Sequence, residues 1–231
     1  MSHSRRLGAV TPMTNPSNGF FIAGTDTGVG KTLVAAALIR AFAQKGLLVS
    51  GMKPIAAGAE QTPDGLRNED ALALRAAANV DADYTLTNPY CFPAPVSPHI
   101  AAREVDVEVD IGRIVHSYRQ LAKQADVIVV EGAGGWLAPI DDQSTMADIA
   151  RALGLPVILV VGLRLGCLNH ALLTARAIAA DGLELAAWIG SHIDPHFARP
   201  EDNLATLKHR LGQPAAAIIP CASSRSRIPA G

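Results

Sequence analysis

A glycine-rich segment near the N-terminus carries residue types that bind phosphate. Residues 24–32 read Gly-Thr-Asp-Thr-Gly-Val-Gly-Lys-Thr, directly after the apolar run 20–23. Glycines let backbone N–H groups close around phosphate oxygens, while Lys31 can reach the β- and γ-phosphates and Thr32 can bind Mg²⁺. The strict motif, G-x-x-x-x-G-K-S/T, has glycine where this chain has Thr25. We therefore predict an ATP-binding P-loop; the alternative is a glycine-rich turn that binds no nucleotide.

A carboxylate follows a second apolar run. Residues 127–130 are all aliphatic and lead into Glu131, which precedes Gly-Ala-Gly-Gly. A buried strand of this kind can deliver its acidic residue to Mg²⁺, and the glycines allow a ligand to approach the backbone. Alone, such an acid is as often a helix cap or a solvated loop charge. Paired with a P-loop, Glu131 is a candidate magnesium ligand.

A lysine and an aspartate complete the set of charged candidates. Lys53 directly follows the apolar run 47–52, and Asp70 begins a helical segment at the far end of the next connection. A lysine at the carboxyl end of a parallel strand points into the ligand crevice of an open α/β sheet. The alternatives are an exposed surface amine for Lys53 and a charge that merely suits the helix dipole for Asp70.

Other chemistry is less well supported by the residues. His192, Asp194 and His196 alternate in a pattern that metal ligands can have, but we expect them in a proline-containing loop without a further fixed ligand, which favours solvated loop residues. The sequence has no G-x-S-x-G motif and no Cys-His pair in a recognisable local context. Nucleophilic hydrolysis is therefore disfavoured.

These candidates need a fold that brings strand ends together. Apolar strand-like runs alternate with helix-like segments from residue 19 onward. The alternation predicts an α/β, P-loop NTPase-like fold with a mostly parallel sheet and helices on both faces. We expect strands over 20–23, 47–52, 127–131, 157–161, 185–189 and 216–219. We expect helices over 31–44, 69–78, 111–123, 145–153, 168–181 and 201–211, with Asp110 and Ser144 as N-caps.

The domain organisation is simple. We expect one synthetase domain over residues 19–231, preceded by a disordered leader over 1–18 that Pro12 and Pro16 interrupt and that lacks the apolar stretch of a signal peptide. Two connections, 53–68 and 79–110, are long and rich in Gly or Pro. Long irregular loops in a compact domain usually line a site, so we expect both to border the ligand.

Composition narrows the function further. The formal net charge is -1 and there is no long basic run, so the sequence lacks the positive charge expected of a nucleic-acid binder. The aromatic fraction is only 4%, which argues against large stacking platforms for bases. Cys91, Cys167 and Cys221 have no C-x-x-C spacing, which fits a reducing cytoplasm. No apolar run approaches the ~20 residues that cross a bilayer. We expect a cytoplasmic protein that acts on a small molecule, without nucleic-acid or membrane partners.

Seven blocks of the sequence resemble dethiobiotin synthetases in order and spacing. They are GTDTGVGKT (24–32), KP (53–54), TPDGLRN (62–68), NPY (88–90), SPH (97–99), EGAGGW (131–136) and GCLNH (166–170). The resemblance implies a homodimeric enzyme that joins 7,8-diaminopelargonate, CO₂ and ATP to give dethiobiotin, ADP and phosphate. It further implies a carbamate and a carbamic-phosphoric anhydride as intermediates.

The resemblance also implies roles for particular residues. Catalytic roles fall to Lys31, Lys53 and Thr27, and Mg²⁺ ligation to Thr32, Asp70 and Glu131. Contacts to the nucleotide and its magnesium are implied for Gly28, Val29, Gly30, Lys31, Thr32, Leu33, Asp70, Glu131, Gly132, Ala133, Gly134, Ser191, His192, Pro220, Cys221 and Ala222. Substrate contacts are implied for Thr27, Lys53, Ala57, Gly166, Cys167, Leu168 and Asn169, with residues 166–169 reaching across the dimer so that each active site is shared.

Three positions depart from the family pattern. Ala57 stands where family members commonly have Ser, which removes one hydroxyl contact to the substrate. Ser191 and His192 replace an Asn-Asp pair near the adenine, and Ser cannot fully copy the pairing of a side-chain amide with a purine edge. The tail after Pro220 is also short relative to the family.

Two other classes of P-loop protein compete with this interpretation. A partitioning or positioning ATPase would use ATP to control dimerisation, but that class usually has another lysine early in its P-loop, and residues 24–30 contain none. An amidotransferase-type synthetase would need an additional glutaminase domain, for which the chain is too short.

Overall fold

The computed structural model describes residues 19–221, which form ten strands and eight helices. The strands are β1 (Gly19–Gly24), β2 (Val49–Met52), β3 (Ile55–Ala57), β4 (Glu60–Thr62), β5 (Gly65–Arg67), β6 (Tyr90–Phe92), β7 (Val127–Glu131), β8 (Val157–Leu163), β9 (Leu185–His192) and β10 (Ala217–Ile219). The helices are α1 (Lys31–Gln44), α2 (Glu69–Ala77), α3 (Tyr84–Thr87), α4 (Pro98–Glu104), α5 (Ile111–Leu121), α6 (Met146–Leu153), α7 (Cys167–Ala180) and α8 (Pro200–Leu211).

Six parallel strands form the central sheet in the order β10-β9-β8-β1-β7-β2. Its middle strands are nearly continuous apolar runs, and all seven residues of β8 are buried, as expected where helices cover both faces of a parallel sheet. Successive side chains of β1 alternate between the two cores: Phe21 packs into one and Ile22 into the other. The predicted fold class is therefore confirmed.

Helices cover the two faces unequally. Buried residues of α1 and α2 belong to one core, and buried residues of α5, α6, α7 and α8 belong to the other. The α2 helix lies very close to β2, since a Cβ added at Gly51 would stand 2.7 Å from Leu74 Cβ. Glycine at this strand position is what lets α2 approach the sheet edge.

Most expected elements are found with shifted ends. The bounds of α1 and β7 agree with the prediction, and Asp110 caps α5 by accepting a hydrogen bond from Gly112 N–H at 2.7 Å. The strand β9 extends to His192, so this residue lies on a strand and the prediction of a loop there was wrong. The predicted leader over 1–18 and the expected contact residue Ala222 lie outside the described residues.

The expectation of two irregular connections was also wrong. The first contains β3 and the hairpin of β4 and β5, and the second contains α3, β6 and α4. The strands β3 and β6 pair with each other in parallel, which links the two connections. Each strand has only three residues, too few for an apolar periodicity to show, and its partner is distant in sequence.

The N-cap of α6 also differs from the prediction. Thr145 holds this position rather than Ser144, and both Thr145 N–H and Thr145 Oγ1 donate to Asp148 Oδ2, at 2.8 and 3.0 Å. The pairing of an N-cap with the acid three residues later is a capping box. A Ser-Thr pair before a helix offers two similar caps, and the position of Asp148 decides between them. Within residues 19–221, no helix is long and apolar enough to cross a membrane.

We expect Thr145→Ala to lower the free energy of unfolding by about 1 kcal/mol, because the N-cap side chain and its bond to Asp148 are lost. The matched control is Ser144→Ala, which removes the neighbouring hydroxyl and leaves the capping box in place. Urea denaturation of both variants measures the difference. Equal losses of stability in the two variants would contradict the assignment of Thr145 as the N-cap.

Candidate active site

Three neighbouring strands end at one edge of the sheet and carry the candidate residues there. The strands β1, β7 and β2 are adjacent and parallel, so their carboxyl ends lie side by side. The P-loop follows β1, Lys53 follows β2, and Glu131 is the last residue of β7. The sheet order therefore gathers charges that are far apart in sequence.

The P-loop has the backbone expected of a phosphate-binding loop. Gly28 and Gly30 have φ values of 74° and 92°, and Gly30 is the N-cap of α1, whose free N–H groups face the loop. Thr25, the departure from the strict motif, has a structural role: its Oγ1 accepts a hydrogen bond from Gly162 N–H at 3.2 Å, while its own N–H donates to Val160 O at 3.0 Å. Through these two hydrogen bonds, Thr25 attaches the P-loop to β8.

A second attachment of the P-loop was not foreseen from the sequence. Asp26 Oδ2 lies 2.6 Å from Arg164 Nη2, and Asp26 Oδ1 accepts a hydrogen bond from Thr27 N–H at 2.7 Å. Lys31 Nζ donates to the carbonyl of Asp26 at 3.0 Å. Because Arg164 lies 138 residues from Asp26, no local pattern signals their pairing.

Lys53 lies between two carboxylates. Its Nζ is 2.8 Å from Asp70 Oδ2 and 2.8 Å from Glu131 Oε1, and 3.4 Å from Gly132 O. Lys53 and Glu131 are only 4% and 1% exposed, so their charges must be satisfied within the protein. The alternative that Lys53 is an exposed surface amine is excluded by this burial.

Three oxygens converge beside the lysine. Thr32 Oγ1 lies 2.7 Å from Asp70 Oδ1 and 2.9 Å from Glu131 Oε1. Neighbouring ligands of an octahedral Mg²⁺ stand about 2.9 Å apart, given its bond lengths of about 2.0–2.1 Å. Among residues 19–221, Glu131 Oε2 is a buried side-chain oxygen without a hydrogen-bond partner. The oxygen chemistry, the spacing and this unpaired atom all fit a magnesium ion.

Charge coupling sets the protonation of the cluster. Burial alone would lower the pKa of Lys53, but the charges of Glu131 and Asp70 and their hydrogen bonds raise that pKa above its ordinary value. Burial would likewise raise the pKa of Asp70, and the charge and hydrogen bond of Lys53 outweigh it and lower that pKa. Lys53 is thus a cation and Asp70 an anion.

Lys31 differs from Lys53 in its surroundings. Burial, followed by the charge of Lys53, lowers the pKa of Lys31 to about 8, against the opposing effects of Glu131 and Asp70. No carboxylate is within hydrogen-bond distance of its Nζ among the described residues, and its recorded partner is a backbone carbonyl. This ammonium is available for an anion such as a phosphate.

A cavity of about 650 Å³ opens at this edge of the sheet. Eleven of the predicted contact residues line it: Thr27, Gly28, Gly30, Lys31, Thr32, Lys53, Ala57, Asp70, Glu131, Ala133 and Gly134. Lining residues that were not predicted to contact a ligand are Ala56, Asn68, Pro95, Val96, Ser97, Pro98, Gly135 and Ala138. Two features of the sequence could have indicated that these residues line the cavity. One is the length of the two connections, and the other is the family-like block that contains Ser97 and Pro98.

Several predicted residues do not line the cavity. Val29 is buried, Leu33 is 56% exposed on α1, and Gly132 donates its N–H to Ile22 O at 3.1 Å. Ser191 is buried at the end of β9, and its Oγ would stand 3.3 Å from a Cβ added at Gly30, so it lies against the P-loop. His192 ends the same strand, and Pro220 and Cys221 follow β10 next to it.

The segment 166–169 is not brought into this cavity within one chain. Cys167 is buried in the larger core, Gly166 and Asn169 are exposed, and Leu168 is half-buried. None of the four lines the cavity. Their predicted contact with substrate stays a prediction. As for metals, the described part of the chain holds no group of three or more His, Cys, Asp or Glu side chains suited to an ion.

Comparisons with known proteins find a matching family model and relatives that carry an enzyme name. A family model described as an AAA domain matches residues 18–227. A protein of Xanthomonas euvesicatoria pv. vesicatoria (strain 85-10), named ATP-dependent dethiobiotin synthetase BioD, is 52% identical over 201 residues, which cover 87% of this chain and 90% of the relative. The protein of that name from Aromatoleum aromaticum is 52% identical over 208 residues, 90% of this chain and 92% of the relative.

Solved structures share the fold at much lower identity. A ParA family ATPase from Chlorobium tepidum TLS aligns with a TM-score of 0.55 and 15% identity over 88% of this chain and 85% of that one. A MinC:MinD cell division complex from Aquifex aeolicus aligns with a TM-score of 0.54 and 18% identity over 88% of this chain and 81% of that one. At such identities the likeness concerns the fold alone.

Removal of the buried cation should destabilise the protein. We expect Lys53→Met to lower the free energy of unfolding by about 3–5 kcal/mol in metal-free buffer, because Glu131 is left as an uncompensated buried charge next to Asp70. Added Mg²⁺ should restore more stability to this variant than it adds to the wild type, since the carboxylates no longer pair with a lysine. Urea denaturation with and without MgCl₂ measures both effects.

The control for this experiment is Lys45→Met, which removes an exposed lysine at the end of α1. It should change neither the stability nor the response to Mg²⁺. If Lys53→Met behaves like Lys45→Met in metal-free buffer, the buried ion pair is not a source of stability. If Mg²⁺ stabilises Lys53→Met no more than the wild type, the carboxylates are not its ligands.

Proposed function

This chain belongs to the ATP-dependent dethiobiotin synthetase family, and on that premise we propose that it joins 7,8-diaminopelargonate and CO₂ with ATP to give dethiobiotin, ADP and phosphate. The observation that carries the proposal is the cluster of Lys53, Asp70, Glu131 and Thr32 beside a P-loop, with Lys53 and Glu131 buried. The cavity of about 650 Å³ is lined by these charged residues and by apolar ones such as Ala56, Val96 and Ala138, which suits an aliphatic diamine and a triphosphate.

The proposed reaction has three steps. One amine of the substrate attacks CO₂ and loses a proton, which forms a carbamate. A carbamate oxygen attacks the γ-phosphorus of ATP, and the bond to the β-phosphate oxygen breaks to release ADP and leave a carbamic-phosphoric anhydride. The second amine attacks the carbamoyl carbon and loses a proton, and the bond from that carbon to the phosphate oxygen breaks, so that phosphate leaves as the ureido ring closes.

The protein's part in these steps is positioning and charge neutralisation. Lys31, with its free ammonium, would meet the β- and γ-phosphates, and Lys53 would meet the carbamate and the transferring phosphoryl group. Thr27 lines the same cavity and would orient the diamine or its carbamate. Thr32, Asp70 and Glu131 would hold Mg²⁺, which supplies charge neutralisation at the phosphates when bound.

The nucleotide would lie along the P-loop toward β9. The N–H groups of Gly28, Val29, Gly30 and Leu33 would bind its phosphates, and Gly132, Ala133 and Gly134 would approach it from the loop after β7. Ser191, His192, Pro220, Cys221 and Ala222 would surround the base. Ser191 supports this direction because it is buried against Gly30. We expect the reaction in the cytoplasm, where the cysteines Cys91, Cys167 and Cys221 stay free.

We further propose that two copies share each active site. The substrate has a carboxylate at the end of a long aliphatic chain, far from its two amines. The N-terminus of α7 offers N–H groups that suit an anion, and Gly166 caps it with a φ of 95°. Leu165 and Leu173 are 91% and 57% exposed around that end of the helix, which supports a subunit contact there.

An ATPase switch is the competing class, given the shared fold of partitioning and cell-division proteins. The deciding experiment measures ADP release by the wild-type protein with each substrate omitted in turn. We expect release to depend jointly on diaminopelargonate and bicarbonate, and dethiobiotin to accumulate in equal amount. Release that is independent of both, or that DNA or lipid vesicles stimulate instead, would overturn the proposal.

Lys31→Ala should lower kcat/KM by a factor of about 10²–10³, because a cation that meets the charge developing on the phosphoryl group is lost. The fold should persist, since Lys31 pairs with no carboxylate. The matched control is Arg40→Ala, an exposed cation on the same helix, which should retain wild-type turnover. Comparable turnover in Lys31→Ala and Arg40→Ala would remove Lys31 from the reaction.

Mixed dimers test the shared site. Lys31→Ala disables the phosphate side, and Asn169→Glu places a negative charge where the substrate carboxylate is expected. Each parent should be nearly inactive, whereas an equal mixture after subunit exchange should reach about a quarter of wild-type activity, because half the dimers then carry one intact site. If each site lies within one chain, mixing restores nothing.

A further inference from the structure

The lysine of the cluster is held by its backbone as well as by its side chain. Lys53 N–H donates to Thr87 O at 2.7 Å, and Asn88 Nδ2 donates to Lys53 O at 2.7 Å. Both polar backbone atoms of Lys53 therefore bond to the end of α3 and the residue that follows it. Thr87 and Asn88 are buried and lie outside the cavity lining.

The aspartate of the cluster is held through the start of its helix. Asn68 is the N-cap of α2, and its Oδ1 accepts hydrogen bonds from Asp70 N–H at 3.1 Å and Ala71 N–H at 3.3 Å. Asn68 in turn donates its own backbone N–H to the hydroxyl of Tyr84 at 2.8 Å. The position of Asp70 therefore depends on Asn68, and the position of Asn68 depends on Tyr84.

The Tyr84 hydroxyl joins these two sets of bonds. It accepts from Asn68 N–H and donates to Asn88 Oδ1 at 3.2 Å, so one hydroxyl connects the start of α2 with the backbone of Lys53. The Arg67 guanidinium lies 4.1 Å from the centre of the tyrosine ring and restrains it. Burial raises the pKa of Tyr84 to about 12, which keeps the donated proton in place.

We propose that Tyr84 is a positioning residue that sets the distance between Lys53 and Asp70. The proposal rests on the proposed function, in which that distance prepares the cluster for Mg²⁺ and for the phosphoryl group. Tyr84 does not line the cavity and touches no reacting atom. It acts through geometry, and displacements of about 1 Å in such sites can cost two orders of magnitude in rate.

The test is Tyr84→Phe, which keeps the ring, its packing and its contact with Arg67. We expect kcat to fall about 10- to 100-fold and the half-saturating Mg²⁺ concentration to rise by a similar factor, as for other residues that orient metal ligands. The KM for ATP should change little, because the P-loop is untouched. Mg²⁺ binding is followed independently of turnover, through the rise in thermal midpoint as MgCl₂ is added.

Tyr90→Phe is a closely matched control. Tyr90 is also buried, its hydroxyl also accepts the backbone N–H of a helix N-cap, Asp110, at 2.8 Å, and the Arg113 guanidinium also lies over its ring, at 4.7 Å. The helix concerned, α5, carries no residue of the cluster. We expect the urea midpoints of both variants to fall similarly, while Tyr90→Phe keeps the kcat and Mg²⁺ dependence of the wild type.

The outcomes separate cleanly. Wild-type Mg²⁺ dependence in Tyr84→Phe would overturn the positioning role. An equal rise of the half-saturating Mg²⁺ concentration in Tyr84→Phe and Tyr90→Phe would overturn it as well. If Tyr84→Phe does not fold, Asn88→Leu breaks the same connection at its other end and must show the same Mg²⁺ shift. If the wild type makes no dethiobiotin, the proposed function fails, and the thermal titration with MgCl₂ still decides the role of Tyr84.

Discussion

Two carboxylates lie together at the edge of the sheet, and the rest of the site depends on the cation between them. Glu131 is the last residue of β7 and Asp70 lies in the first turn of α2, and each has a carboxylate oxygen 2.8 Å from Lys53 Nζ. Placing a carboxylate in a buried setting is costly unless a cation pairs with it. Lys53 supplies that cation, so the group that neutralises the two carboxylates also shapes the site.

This arrangement explains why the surrounding elements are placed as they are. The strand order sets β1, β7 and β2 side by side, and the absence of a side chain at Gly51 lets α2 come near enough for Asp70 to reach the lysine. The short strand β3, which pairs with β6, then adds Ala56 and Ala57 to the cavity wall. The ParA family ATPase and the MinC:MinD complex share the fold at 15% and 18% identity, whereas relatives with 52% identity carry the synthetase name.

Local patterns in the sequence predicted much of the site, because each signal is contained in one short segment. The P-loop, the strand that ends at Glu131 and the lysine after β2 are all readable in this way. Contacts between segments that are separate in sequence could not be predicted in this way. Examples are the contacts of Asp26 with Arg164, Thr25 with Gly162 and Tyr84 with Asn68. The sequence around each of these residues does not indicate its partner. Short elements such as α3 and β6 were missed because three or four residues show no period, and two adjacent candidate caps before α6 could be separated only by the geometry of Asp148.

The close approach at Gly51 also constrains how this family can diverge. Any side chain at position 51 would meet Leu74, and shrinking Leu74 alone would open a void between α2 and the sheet. The nearest atom that a side chain at position 51 would meet is the Cβ of Leu74, which every residue except glycine has, so a smaller residue at position 74 would not make room. The backbone of α2 would have to move away from β2 and carry Asp70 with it, so a substitution at position 51 would act on the site although Gly51 does not line the cavity.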